Sequence, residues 1–138
     1  MNKSMLLKNQ LVFASISAAV SVMILALAAH YLQNILAESQ INAVKTAANI
    51  QLIHSISIFA LSNLSNIVNI SILKRALNFM IAGIIAFSGS IYILSLKAIL
   101  NLNWLKIFGP VTPVGGVLLI ISWIIVAISI YNSNKNND

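Results

Sequence analysis

The sequence predicts an all-α fold, a bundle of four helices that cross a membrane, on three observations. First, four long apolar blocks run over about 11–29, 47–68, 77–96 and 114–131 of the 138 residues. Each block has about 18–22 residues, enough for a helix to cross a ~30 Å hydrocarbon layer at ~1.5 Å per residue. Second, charged residues are 7% of the chain and almost all fall outside the blocks. Third, 59% of the residues are hydrophobic and mean hydropathy is +0.95, where a soluble domain is ~45–50% apolar. The longest polar stretch, residues 30–46, is too short for a soluble domain, so one integral membrane domain over 1–138 is expected.

Block one, Leu11 to Ala29, has Ser15, Ser17 and Ser21 as its only polar groups. Serine hydroxyls bond back to a carbonyl one turn earlier and cost little in a membrane helix. Lys3, Lys8, this apolar run and the small residues Ala26, Ala28 and Ala29 resemble a secretory signal. Signal cores are usually ~7–15 residues, so the longer run here fits a retained span better. His30 and Tyr31 end it, with Tyr31 suited to the interfacial belt.

Block two, Ala47 to Val68, is the most polar. At 100° per residue Gln51, His54, Ser55, Ser62, Ser65, Asn66 and Asn69 share an arc of roughly 120°. Leu52, Ile53, Ile56, Phe59, Ala60, Leu64 and Ile67 fill the other side. An unbonded amide facing lipid costs several kcal/mol, so this arc is expected to face helices, a partner or a wet cavity. No charge lies between Lys45 and Lys74, which favours insertion over a surface-lying helix.

Lys74-Arg75 reads as a tight turn at the membrane surface. In block three, Ala82, Ala86 and Ser90 form a small-xxx-small ladder, and Gly83, Ser88 and Gly89 add further small residues. Such ladders let helix backbones approach closely. Trp104, Lys106 and Phe108 mark a head-group connection, and Gly109-Pro110 a turn. Thr112-Pro113 predicts a helix start, with Thr112 as N-cap and Pro113 where no N–H is needed. Gly115-Gly116 in the first turn predict close contact with a neighbouring helix. The polar tail from Asn132 to Asp138 is expected to be disordered.

The net charge of +6 comes from eight basic and two acidic residues. The bases stand at block ends, where they anchor to anionic head groups and set topology. Nucleic-acid binding would need a one-face cluster interleaved with aromatics, which is absent from the sequence. With four spans, Lys3, Lys8, Lys74, Arg75 and Lys135 share one side, against Lys45, Lys97 and Lys106 on the other. That majority predicts both termini in the cytoplasm of a cell membrane.

Phe87-Ser88-Gly89-Ser90-Ile91-Tyr92, then Val111-Thr112-Pro113-Val114-Gly115-Gly116 and Trp123, resemble the YgdD/YwdK-like family of small bacterial membrane proteins. That family is catalogued as a domain of unknown function. Ala29-His30-Tyr31-Leu32 resembles its Ala-His-Gly-Leu stretch, and Thr46-Ala47-Ala48 with Gln51 and His54 resembles its entry into span two. The resemblance covers about residues 15–130. The chain departs from it at Ala28, Tyr31 and Ser122, where the family usually carries glycine. The resemblance implies four helices in the cytoplasmic membrane of a bacterium and no established activity.

No acid pair or His–carboxylate relay is available for catalysis, because Glu38 and Asp138 are the only acids. The sequence has no cysteine, so thiolate chemistry and disulfides are excluded. His30 and His54 are the only histidines and are expected toward the outer side, close enough to approach one another. Two histidines without carboxylate or thiolate make a poor metal site, so no metal or other cofactor is expected. The candidate polar face is His30, Gln51, His54, Asn66, Ser88, Ser90 and Thr112. The candidate packing residues are Gly83, Ala86, Gly89, Gly115 and Gly116. Partners expected are the lipid bilayer and either a second copy or another membrane protein. The reading is a structural or accessory membrane protein; the alternative is an oligomeric small-solute channel or transporter lined by helix two.

Overall fold

The computed structural model describes residues 3–100 and 102–133. Four helices follow one another: α1 (Lys8–His30), α2 (Glu38–Ser62), α3 (Ile70–Leu100) and α4 (Val111–Ser133). Short 3-10 segments at Lys3–Leu7, Leu32–Asn34, Asn63–Asn66 and Asn103–Phe108 precede or join them. No strand occurs among the described residues. All four helices are long and apolar enough to cross a membrane. The fold is an all-α four-helix bundle, as the apolar blocks predict.

Helix boundaries depart from those blocks where local chemistry outweighs hydropathy. α2 begins at Glu38, inside the stretch read as a polar connection. The Gln40 side chain accepts the Ala37 N–H at 3.1 Å, and Glu38 lies in the first turn, where the helix dipole favours an acid. Ile41, Val44, Ala47 and Ala48 bury one face of this first half, while Glu38, Ser39, Asn42 and Thr46 are exposed on the other.

α3 begins at Ile70, so Lys74-Arg75 is not a turn. The turn is at 67–69, and Asn69 caps the helix: its Oδ1 accepts the N–H of Ser71 at 2.9 Å and of Ile72 at 3.4 Å. α4 begins at Val111, with Thr112 already helical. At its far end Asn132 and Ser133 are helical, which corrects the start of the expected disordered tail. The rest of that tail, 134–138, lies outside the described residues.

The helices pack antiparallel in chain order, α3 most closely against α4, then α1 against α2 and α2 against α3. α1 touches α3 sparsely and is not a close neighbour of α4. One apolar core joins Ala14, Ile58, Leu61, Leu77, Met80, Leu119 and Val126 from all four helices. A smaller one joins Ala28, Leu36, Ile41 and Val44 at the end that holds the α1–α2 connection. Ile16, Ile56, Ile85 and Ile120 are exposed, each on a different helix. Lipid is as apolar as these side chains, so burial does not drive helices together inside a bilayer; small-residue packing and interhelical hydrogen bonds do.

Candidate functional site

Gln51 is 6% exposed and stands at the centre of α2, where α1 and α3 flank it. Its Nε2 donates to the Ser17 carbonyl at 2.9 Å and to Ser17 Oγ at 3.2 Å. Its Oε1 accepts the Tyr92 hydroxyl at 2.8 Å. One amide thereby joins three helices. Ser55, one turn along α2, has its Oγ 2.7 Å from the Gln51 carbonyl and 2.9 Å from Ser17 Oγ. A hydroxyl has one proton, so Ser55 serves the carbonyl if Ser17 supplies the proton between the two hydroxyls. Ser88, fully buried on α3, donates to the Ala47 carbonyl on α2 at 2.8 Å.

His54 lies one turn from Gln51 on α2, 8% exposed. Its Nδ1 is 2.8 Å from the Ile50 carbonyl, and its Nε2 is 3.3 Å from Trp123 Nε1 on α4. The indole N–H only donates, so Nε2 is the acceptor and the ring proton is on Nδ1, shared with Ile50. The two rings meet edge to face, with centroids 6.3 Å apart. Both ring nitrogens are engaged, with no second histidine among their partners. His30 is exposed at the end of α1, away from this seam. Among the described residues, no group of three or more His, Cys, Asp or Glu could hold a metal ion.

The α3–α4 seam is built from small residues. Ser90 and Thr112 hydroxyls are 2.7 Å apart, and Ser122 donates to the Ala76 carbonyl at 2.8 Å. Thr112 therefore reaches across to α3 and makes no cap hydrogen bond, contrary to the N-cap role expected of it. At Gly115 a Cβ would collide with the Phe87 backbone nitrogen and lie 2.7 Å from its Cα and 2.8 Å from the Ala86 carbonyl carbon. At Gly83 a Cβ would lie 2.8 Å from Leu119 Cγ and 3.0 Å from its backbone nitrogen.

Gly89 is different: nothing lies within 4 Å of a Cβ there. It lines a cleft between α1 and α3 rather than a helix contact, which corrects its expected packing role. Gly116 makes only ordinary contact with the Phe87 ring, at 3.8 Å and beyond. Asn66 is exposed, and so is Asn69. α2 ends at Ser62 and gives way to a 3-10 segment, which advances 120° per residue. The 100° projection fails there for Asn66, which turns out, while Ser65 is buried as the arc predicts.

Sequence reasoning missed two members of the site. Ser17 passes for a back-bonding serine, as Ser15 and Ser21 are, but only spatial proximity to Gln51 gives it an interhelical role. Tyr92 sits mid-block in α3, where a lone tyrosine among apolar residues signals a hydroxyl in need of an acceptor. Gln10, also buried, donates to Asn78 Oδ1 at 2.8 Å and ties the start of α1 to α3.

Four apolar helices tied by neutral side chains define a small multi-pass membrane protein, with no charged residue in the seam. A family model described as "Protein of unknown function (DUF423)" matches residues 24–116. The chain belongs to this family. It is 32% identical over 125 residues to a UPF0382 membrane protein of Staphylococcus aureus (strain bovine RF122 / ET3-1), covering 91% of this chain and 97% of that one. It is 32% identical over 124 residues to the UPF0382 membrane protein YwdK of Bacillus subtilis (strain 168), covering 89% and 96%. A Haemophilus influenzae UPF0382 membrane protein is 30% identical over 130 residues, covering 94% and 99%. These relatives bear out the resemblance seen in the FSGSIY and TPVGG motifs. No solved structure matches the chain.

Proposed function

We propose that this protein has a structural or accessory role in the cytoplasmic membrane, without catalysis or cofactor, as a single domain with both termini in the cytoplasm. One observation carries the reading. The buried half of the α2 polar arc is satisfied inside a single chain: Gln51 bonds Ser17 and Tyr92, Ser55 bonds back to Gln51, and His54 bonds Ile50 and Trp123. A conduction path needs polar groups that face water, and these face one another. Gln51, Ser88, Ser90 and Thr112 act as fasteners between helices. The distribution of lysine and arginine supports the topology.

The test is cysteine accessibility in intact membranes, which the cysteine-free sequence favours. Gln51→Cys, Ser55→Cys, Ser62→Cys, Asn66→Cys and Asn69→Cys are challenged singly with a membrane-impermeant thiol reagent from each side. Positions 66 and 69 label and positions 51 and 55 stay protected if the seam is dry. Labelling of 51 and 55 overturns the reading and makes α2 the lining of a water-filled path in an oligomer.

A further inference from the structure

Beside the α3–α4 seam lies a groove of about 330 Å³ lined by Arg75, Asn78, Phe79, Ala82 and Leu118. Ligand pockets begin at roughly this size. The four α3 residues are spaced i, i+3, i+4 and i+7 and so share one face. Leu118 closes the other wall from α4, next to Leu119, which packs on Gly83.

The groove is polar at one end and apolar at the other, and this polarity runs along the membrane normal. Residues 76–96 of α3 carry no charge. These 21 residues span ~31 Å as a helix, the thickness of the hydrocarbon layer, with Arg75 at one boundary and Lys97 at the other. Phe79 and Ala82 then lie ~6 and ~10 Å inside the hydrocarbon.

Arg75 is exposed, and among the described residues no carboxylate lies at its end. Glu38 is the only acid among the described residues, and it opens α2 at the opposite end of the bundle. Gln10 donates to Asn78 Oδ1 and holds that side chain in place, which leaves the Asn78 NH2 as a donor one turn below the guanidinium.

We propose that this groove binds one molecule of an anionic phospholipid from the surrounding leaflet. The phosphate is taken by the Arg75 guanidinium, whose fork matches phosphate oxygens bidentately, and by the Asn78 amide. One acyl chain lies along Phe79, Ala82 and Leu118. Charge complementarity chooses this occupant over a second copy of the chain, whose own surface at this end presents Lys8, Lys74 and Arg75.

The test uses the full chain in nanodiscs of phosphatidylcholine doped with phosphatidylglycerol, with retained lipid read by native mass spectrometry after gentle extraction. The unaltered chain retains one phosphatidylglycerol in preference to phosphatidylcholine. Arg75→Gln lowers that retention about tenfold, the equivalent of one charge-assisted contact. Ala82→Phe fills the apolar half, leaves every charge in place and lowers retention as well. Lys74→Gln, on a different face of α3, leaves it unchanged. Equal retention in all variants overturns the site. Equal loss in Lys74→Gln and Arg75→Gln also overturns it, since diffuse surface attraction would then account for the lipid. Displacement by millimolar inorganic phosphate overturns the lipid as occupant. Circular dichroism of each variant establishes that helix content is intact.

Discussion

Gln51 places both ends of its amide in interhelical bonds, and so it sets the strongest expectation for a single residue. Gln51→Leu removes the bonds to Ser17 and strands the Tyr92 hydroxyl. Single interhelical bonds in membrane proteins average ~0.6 kcal/mol and reach ~1.7. The loss of several, with a part-buried hydroxyl left without its partner, is expected to cost ~1–3 kcal/mol. Tyr92→Phe removes one of those bonds, leaves Gln51 Oε1 without its partner and should cost less than Gln51→Leu. Reversible unfolding in mixed micelles measures both, and equal costs would mean the amide is not the hub. At His54, Trp123→Phe keeps an edge-to-face ring and deletes the donor to Nε2. The expected cost is ~0.5–1.5 kcal/mol, read in the same assay.

The glycines of α3 and α4 separate at the scale of elements. Gly115→Ala puts a methyl group into the Phe87 backbone, which cannot rotate away as a side chain can. The α3–α4 pair must then separate, at an expected ~1–3 kcal/mol. Gly89→Ala meets open space and adds helix propensity, so it is expected to be neutral or to stabilise by up to ~1 kcal/mol. A thermal-shift comparison checks the pair; the reverse order would place the tight contact elsewhere. Asn69→Ala removes the cap that starts α3 well ahead of its apolar block, at ~1 kcal/mol. That cap was legible as an Asn followed by a regular apolar pattern. Hydropathy obscured it, because Lys74 and Arg75 interrupt the apolar run without interrupting the helix.

For the whole molecule, the four helices and their antiparallel order place Lys8, Lys74 and Arg75 at one end, with Lys45 and Lys97 toward the other. A green fluorescent protein fused after residue 138 is expected to fluoresce, and alkaline phosphatase inserted in the α1–α2 connection at 32–37 to be active. The opposite pattern would invert the topology and move the Arg75 groove to the outer leaflet. The arrangement is a chain-order packing in which α2 is held between α1 and α3, and α4 docks on α3. Neutral hydrogen bonds suffice for this wherever a membrane-embedded seam excludes water that would compete for them.

Membrane residence, the number of helices and the presence of a polar face on α2 were determined by the sequence alone. Long apolar blocks have no other stable place, and an amide cannot face lipid unbonded. Close helix contacts at Gly83, Ala86 and Gly115 were legible too, though not that α3 and α4 make them with each other. Gly89 and Gly116 carried the same signal without the contact. Only the tertiary structure decided which partners the polar face meets. Ser17 and Tyr92 lie 34 and 41 positions from Gln51 along the chain, and no local spacing announces the pairing. It also removed Asn66 and His30 from the seam, since a change of helical pitch at Asn63 and the end of α1 at His30 turn those side chains outward. Periodicity says which face of a helix is polar; the packing of the other helices decides what that face holds.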